Sequence, residues 1–109
     1  MSKDWTDEDI NNVWEKATIA EPNDKDIWRK DLAGAWIKKD KYGDEKELGY
    51  GWEIDHINPE AKGGKDDLDN LQPLQWQNNR TKSDDYPDYK TSVSSEKTKN
   101  IYSEQEHKA

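Results

Sequence analysis

The chain contains no cysteine and no phenylalanine, and only 29 % of its 109 residues are hydrophobic. Without cysteine, neither a disulfide nor a thiolate-bound zinc can staple the fold. No apolar run approaches the ~20 residues that a membrane-spanning helix needs, and no secretory pattern opens the chain, so a cytoplasmic protein with no membrane attachment is expected. An excess of positive charge is missing too. The formal net charge is −8 and no segment is basic, which works against wholesale electrostatic attraction to nucleic acid.

What is present points to one small domain. Six tryptophans supply much of the apolar area in a chain that is otherwise 39 % charged, and each Trp carries a large buried surface. A compact, Trp-pinned core with polar tails is the expected architecture.

Thr6 to Ala17 reads as a helix. Thr6 is an N-cap with Asp9 three residues on, and Ile10, Val13, Trp14 and Ala17 fall on one face. Glu21-Pro22-Asn23-Asp24 ends that pattern. Asp26 to Leu32 suggests a short helical turn, and Ala35-Trp36-Ile37 a short strand. Gly49 to Ile57 alternates as a half-buried strand does, with Tyr50, Trp52 and Ile54 on one side. Leu71 to Leu74 is a second short strand that Pro73 confines to an edge or an end. Trp76 to Lys82 reads as a helix that Pro87 and the acids before it bring to a close. From about Ser83 the composition is polar with no sustained period, which predicts disorder apart from a segment around Tyr86 and Tyr89.

The chemistry concentrates between Trp52 and Asp84. An imidazole at a strand end beside a carboxylate suits general-base work. An aspartate and an asparagine oxygen are hard ligands, suited to Mg²⁺ or Mn²⁺. Each residue alone is weak. In order, however, Trp52-Glu-Ile-Asp55-His56-Ile-Asn-Pro59, then Gly63-Gly64, then Asp69-Asn70-Leu71-Gln-Pro73-Leu74, then Asn78-Asn79-Arg80-Thr-Lys82 resembles the HNH endonuclease family.

That resemblance implies an α+β fold built on a ββα-metal hairpin-plus-helix at residues 49–84. An N-terminal helical, Trp-rich part would cover residues 1–48, and a mostly disordered tail residues 85–109. It implies that Asp55 and Asn79 hold one divalent metal, Mg²⁺ or Mn²⁺, and that His56 deprotonates the attacking water. Asn70 would brace the loop and help orient the base, while Arg80 and Lys82 would contact substrate phosphate. The implied reaction is one-metal hydrolysis of DNA, leaving a 5′-phosphate and a 3′-hydroxyl. Many relatives carry a zinc knuckle, with a cysteine pair where Gln75 and Asn78 stand here. No structural zinc is therefore expected, and Trp36, Trp52 and Trp76 are the expected clamps of hairpin to helix. The acidity leaves three routes to DNA: acids placed away from the site, attraction by the metal, or a protein partner that delivers the substrate. The alternative is a non-catalytic HNH-fold module that binds DNA or a protein partner.

Overall fold

The computed structural model describes residues 4–108. In chain order its elements are α1 (Asp7–Trp14), β1 (Thr18–Ile19), β2 (Trp28–Lys30), β3 (Trp36–Lys38), β4 (Trp52–His56), β5 (Leu71–Gln75), α2 (Trp76–Lys82), β6 (Tyr89–Glu96) and β7 (Lys99–His107). The strands form three antiparallel sheets, β1-β2-β3, β4-β5 and β6-β7. Among the described residues no helix is long and apolar enough to cross a membrane.

α1 starts where its capping chemistry dictates. The Asp9 amide donates to the Thr6 hydroxyl at 3.1 Å and the Thr6 amide donates to the Asp9 carboxylate at 3.2 Å, so two orphan donors are satisfied reciprocally. The helix buries Val13 and Trp14. It stops at Trp14, short of the expected Ala17, because the amides of Lys16 and Ala17 close tighter turns onto the carbonyls of Val13 and Trp14. Trp14 meets Trp52 at 5.4 Å between ring centroids, and Tyr42 stands edge-on to Trp52 at 5.0 Å. With Ala17, Ile37, Ile54 and Leu71 these rings make the apolar core.

Of the expected helical turn over Asp26 to Leu32, only the start keeps a turn, closed by the Trp28 amide on the Asp24 carbonyl, and Trp28–Lys30 is instead strand β2. A segment this short forms no stable helical nucleus, and here it gains ladders on both sides. Arg29 is buried, donating to the carbonyls of Lys25, Glu15 and Ala17 at 2.8, 3.0 and 3.2 Å, which reels the segment in beneath α1.

Trp36, Trp52 and Trp76, expected to clamp helix to hairpin, leave most of that task to polar groups. Trp52 belongs to the core, whereas Trp76 is half-buried and donates its indole N–H to the Lys46 carbonyl. The side chains that α2 buries are Asn78 and Lys82. Asp31, itself buried, accepts from the amides of Ala33 and Ala35 through one oxygen and from the Gln75 amide and the Asn78 amide group through the other. Asn78 in turn accepts from the amides of Ser92 and Val93. A hydrogen-bonded hub thus occupies Gln75 and Asn78, where the resemblance implied that a cysteine pair would stand if zinc were held.

That hub also explains the principal correction. Residues 85–109 do not form a disordered tail: β6 and β7 make a long hairpin seated on α2 (Ala109 lies outside the described residues). The docking relies on hydrogen bonds more than on apolar area. Asn100 accepts from the Trp36 amide and donates to the carbonyls of Trp36 and Gly49, and Trp36 donates its indole N–H to the Lys97 carbonyl. Only Tyr89, Thr91 and Val93 alternate inward over β6, and the exposed turn at Lys97, with φ +55, contains no glycine to announce it.

Candidate active site

Strand β4 delivers Asp55 and His56 to the mouth of a long connection, residues 57–70, which returns into β5. The register sets Asp55 opposite Gln72 and His56 opposite Leu71. Asn70 closes this connection: its side-chain oxygen accepts from the Asn58 amide at 2.8 Å, and its amide group donates to the carbonyls of Asn58 and Lys65 at 3.0 and 2.7 Å. The Gly-Gly pair inside the loop is sterically required. Gly63 sits at φ +91, and a side chain on Gly64 would collide with the Asn58 carbonyl.

Asp55 and His56 line an open cleft of about 530 Å³ together with Pro59, Glu60, Asn79 and Arg80. The structure therefore gathers residues from β4, the connecting loop and α2 around one space. Their individual surroundings differ sharply.

Asp55 is only 5 % exposed. Burial pushes its carboxyl above the ordinary aspartate range, opposed by the Gln72 amide, which donates at 2.9 Å, and by the Lys82 ammonium at 3.3 Å. A carboxylate offers about four acceptor sites, so two occupied ones leave room for a metal. Asn79 donates its amide N–H to Glu53 at 2.9 Å, which fixes the plane of the group and assigns its oxygen as the remaining ligand atom. Together with an imidazole, these hard oxygen donors suit a divalent cation of the Mg²⁺ or Mn²⁺ kind.

The ring of His56 is held from two directions. Its Nε2 lies 2.7 Å from Asp66, and the ring of Trp5 stands 5.6 Å away at a tilt. Its Nδ1 makes no hydrogen bond among the described residues. Glu60 and Asp66 also place carboxylate oxygens near a ring nitrogen of His56, all three ligand atoms lying within 4.8 Å of one another. A second possible donor set therefore sits at the rim of the same cleft.

The two expected phosphate contacts fare differently from what their positions in the sequence suggest. Lys82 is fully buried, with its ammonium on Asp55, on the His56 carbonyl at 3.1 Å and 5.1 Å from the Tyr89 ring centre. In that position it neutralises Asp55 and cannot reach a phosphate. Arg80 is exposed on the cleft, but its guanidinium bridges Glu45 and Glu53 at 2.6 and 2.8 Å. Glu45 foremost raises the Arg80 pKa further. Its charge is thus largely spent on neighbouring acids.

Glu53, Glu60, Asp66, Gln72 and Trp5 went unassigned in the sequence. The acid-rich loop offered a hint of Asp66, but tertiary pairing alone selects which acid meets His56. Residues 39–85 match the HNH endonuclease family. No curated protein and no solved structure matches the chain.

Proposed function

From the match of residues 39–85 to the HNH endonuclease family, we propose that this chain is a metal-dependent endonuclease that hydrolyses DNA phosphodiester bonds with a histidine base. The observation that carries the reading is the shared cleft: Asp55, His56 and Asn79, drawn from two strand and helix elements far apart in the chain, all line it. On this reading β4, β5 and α2 act as a ββα-metal unit.

Asp55 and Asn79 are the metal ligands, and Glu53 orients Asn79 for that task. When bound, the cation supplies positive charge to the phosphoryl and leaving oxygens. His56 takes the proton of the attacking water. Asp66 accepts from Nε2–H and so fixes the tautomer that leaves Nδ1 as the proton acceptor. Asn70 keeps the loop, and hence Asp66, in register with His56. Lys82 acts from beneath by keeping Asp55 ionised in a buried setting.

The second reading, favoured by the mutual approach of His56, Glu60 and Asp66, assigns these three as the metal ligands. The two separate cleanly. Supercoiled plasmid incubated with the protein and Mg²⁺ or Mn²⁺ is expected to be nicked, and excess chelator to stop this. His56→Ala is expected to abolish nicking while Mn²⁺ binding persists, which is lost only on the second reading. Absence of cleavage with either metal defeats the nuclease assignment and leaves a module that binds DNA or a protein partner.

A further inference from the structure

Away from the cleft, three aromatic rings wall a cavity of about 270 Å³: Trp28, Trp36 and Tyr50, with Asn23 and Thr98 at its edges. Trp28 meets Trp36 edge-on at 6.2 Å and 83°, and meets Tyr50 at 4.9 Å and 87°. The result is a slot with near-perpendicular walls rather than a stack closed on itself. Trp14, Trp36, Trp52 and Trp76 each donate their indole N–H to a backbone carbonyl. That of Trp28 finds no acceptor among the described residues, and its ring is only half-buried. The Trp28 N–H is therefore open to solvent or to a ligand rather than tied into the core.

A trough of about 460 Å³ shares Trp28 and Tyr50 with the slot and is lined by Lys38, Lys41 and Lys46. Lys41 and Lys46 are exposed and make no ion pair among the described residues. Two acids temper the trough: Asp44 lines it, and Asp40 lies 4.0 Å from Lys38. The balance along it still favours an anion, in a chain whose net charge is −8.

Ring chemistry selects the class of ligand. Lys30 already stands 4.6 Å from the Trp36 ring centre and Lys38 5.5 Å from that of Trp28. Each cation holds one face of its ring and would repel a quaternary ammonium brought to the other. A ligand with an aromatic body and an anionic end satisfies slot and trough together. We infer that the Trp28–Trp36–Tyr50 slot takes a nucleobase from a DNA strand whose phosphates run over Lys38, Lys41 and Lys46. Base-on-aromatic stacking flanked by lysines is the general physics of single-strand binding.

The placement relates this site to the cleft. Tyr50 lies two residues before β4, the strand that ends at His56, so one short strand joins slot to cleft. The slot would thus anchor the strand that the cleft attacks, where Lys82 is buried and Arg80 is held by acids. The inference borrows from the proposed function only that the ligand is DNA, and it does not require cleavage.

The test is a titration of ¹⁵N-labelled full chain in chelator with an octathymidylate, reading the tryptophan indole N–H signals. Those of Trp28 and Trp36 are expected to move, while those of Trp14 and Trp52 stay. Trp28→Leu is expected to weaken binding about fivefold to a hundredfold. Lys41→Ala, at an exposed position that leaves the fold intact, is expected to lower the slope of log affinity against log salt by about 0.7. An octamer of abasic sites is expected to bind far more weakly, and thymidine monophosphate only feebly. An abasic octamer binding as tightly as octathymidylate, or an unmoved Trp28 signal at saturation, overturns the slot. Thymidine monophosphate binding as tightly as the octamer overturns the strand assignment in favour of a free nucleotide. Plasmid nicking with an unmoved Trp28 removes this site and keeps the nuclease; a moved Trp28 without nicking does the reverse.

Discussion

Replacing Lys82 by methionine isolates the buried charge pair on which the site rests. Lys82 is 0 % exposed and Asp55 5 % exposed, with 3.3 Å between ammonium and carboxylate. Methionine has a similar length but no charge, so Asp55 would keep only the Gln72 donor and the His56 carbonyl would lose its own. Breaking a buried pair by removing one partner costs about 3–5 kcal/mol, a large share of the roughly 5–15 kcal/mol that stabilises a domain. For a domain of this size that is a fall in Tm of roughly 15–30 °C. Denaturant unfolding at pH 7, followed by tryptophan fluorescence, measures it. Asp55→Asn combined with Lys82→Met should recover about 2 kcal/mol, because the neutral amide no longer needs the ammonium. Acidification should have the same effect. Burial raises the Asp55 pKa above the ordinary 3.8, so its neutral form favours the fold. That contribution is complete below about 3.8 and is lost as pH rises through the raised folded value. The deficit of Lys82→Met should therefore shrink as pH falls through that window. A variant within 0.5 kcal/mol of the wild type, a margin usual for surface substitutions, would show that the ammonium is not committed to Asp55 and would return Lys82 to the phosphate contacts.

Other perturbations test neighbouring parts of the structure. Asp31→Ala leaves the amides of Ala33, Ala35 and Gln75 and the Asn78 side chain without their shared acceptor; a loss of about 3–5 kcal/mol is expected in urea unfolding, and a change below 1 kcal/mol would deny the hub its role. Asn78→Ala should detach β6 from α2, seen as faster hydrogen exchange at the Ser92 and Val93 amides, while unchanged protection there contradicts the docking scheme. Asp66→Asn should lower the plasmid-nicking rate tenfold or more with Mn²⁺ affinity preserved, since it weakens the acceptor that holds His56 Nε2; an unchanged rate removes Asp66 from the mechanism.

Parts of the fold were legible because local chemistry decides them. The Thr6–Asp9 box fixes the start of α1, alternation through Trp52 and Ile54 marks β4, and α2 runs over the expected Trp76 to Lys82. The candidate site was legible in outline for a related reason: the Asp55-His56 pair and Asn79 belong to elements whose local signals are strong. What stayed hidden depends on partners distant in sequence. β2 exists because Arg29 reaches carbonyls of another segment, and the β6–β7 hairpin because Asn78 and Asn100 bind backbone far away. An asparagine that docks a hairpin reads, in sequence, the same as one that caps a turn. Lys82 and Arg80 have the composition of phosphate ligands, yet burial commits one to Asp55 and two glutamates hold the other.

The claim at the centre is that a single cleft gathers the metal donors and the proton acceptor. Paramagnetic line broadening by substoichiometric Mn²⁺ reads this directly. Signals of Asp55, His56 and Asn79 should vanish first, with Lys41 and Glu96 untouched. Broadening confined to acids elsewhere on the surface, with these three signals sharp, would contradict it.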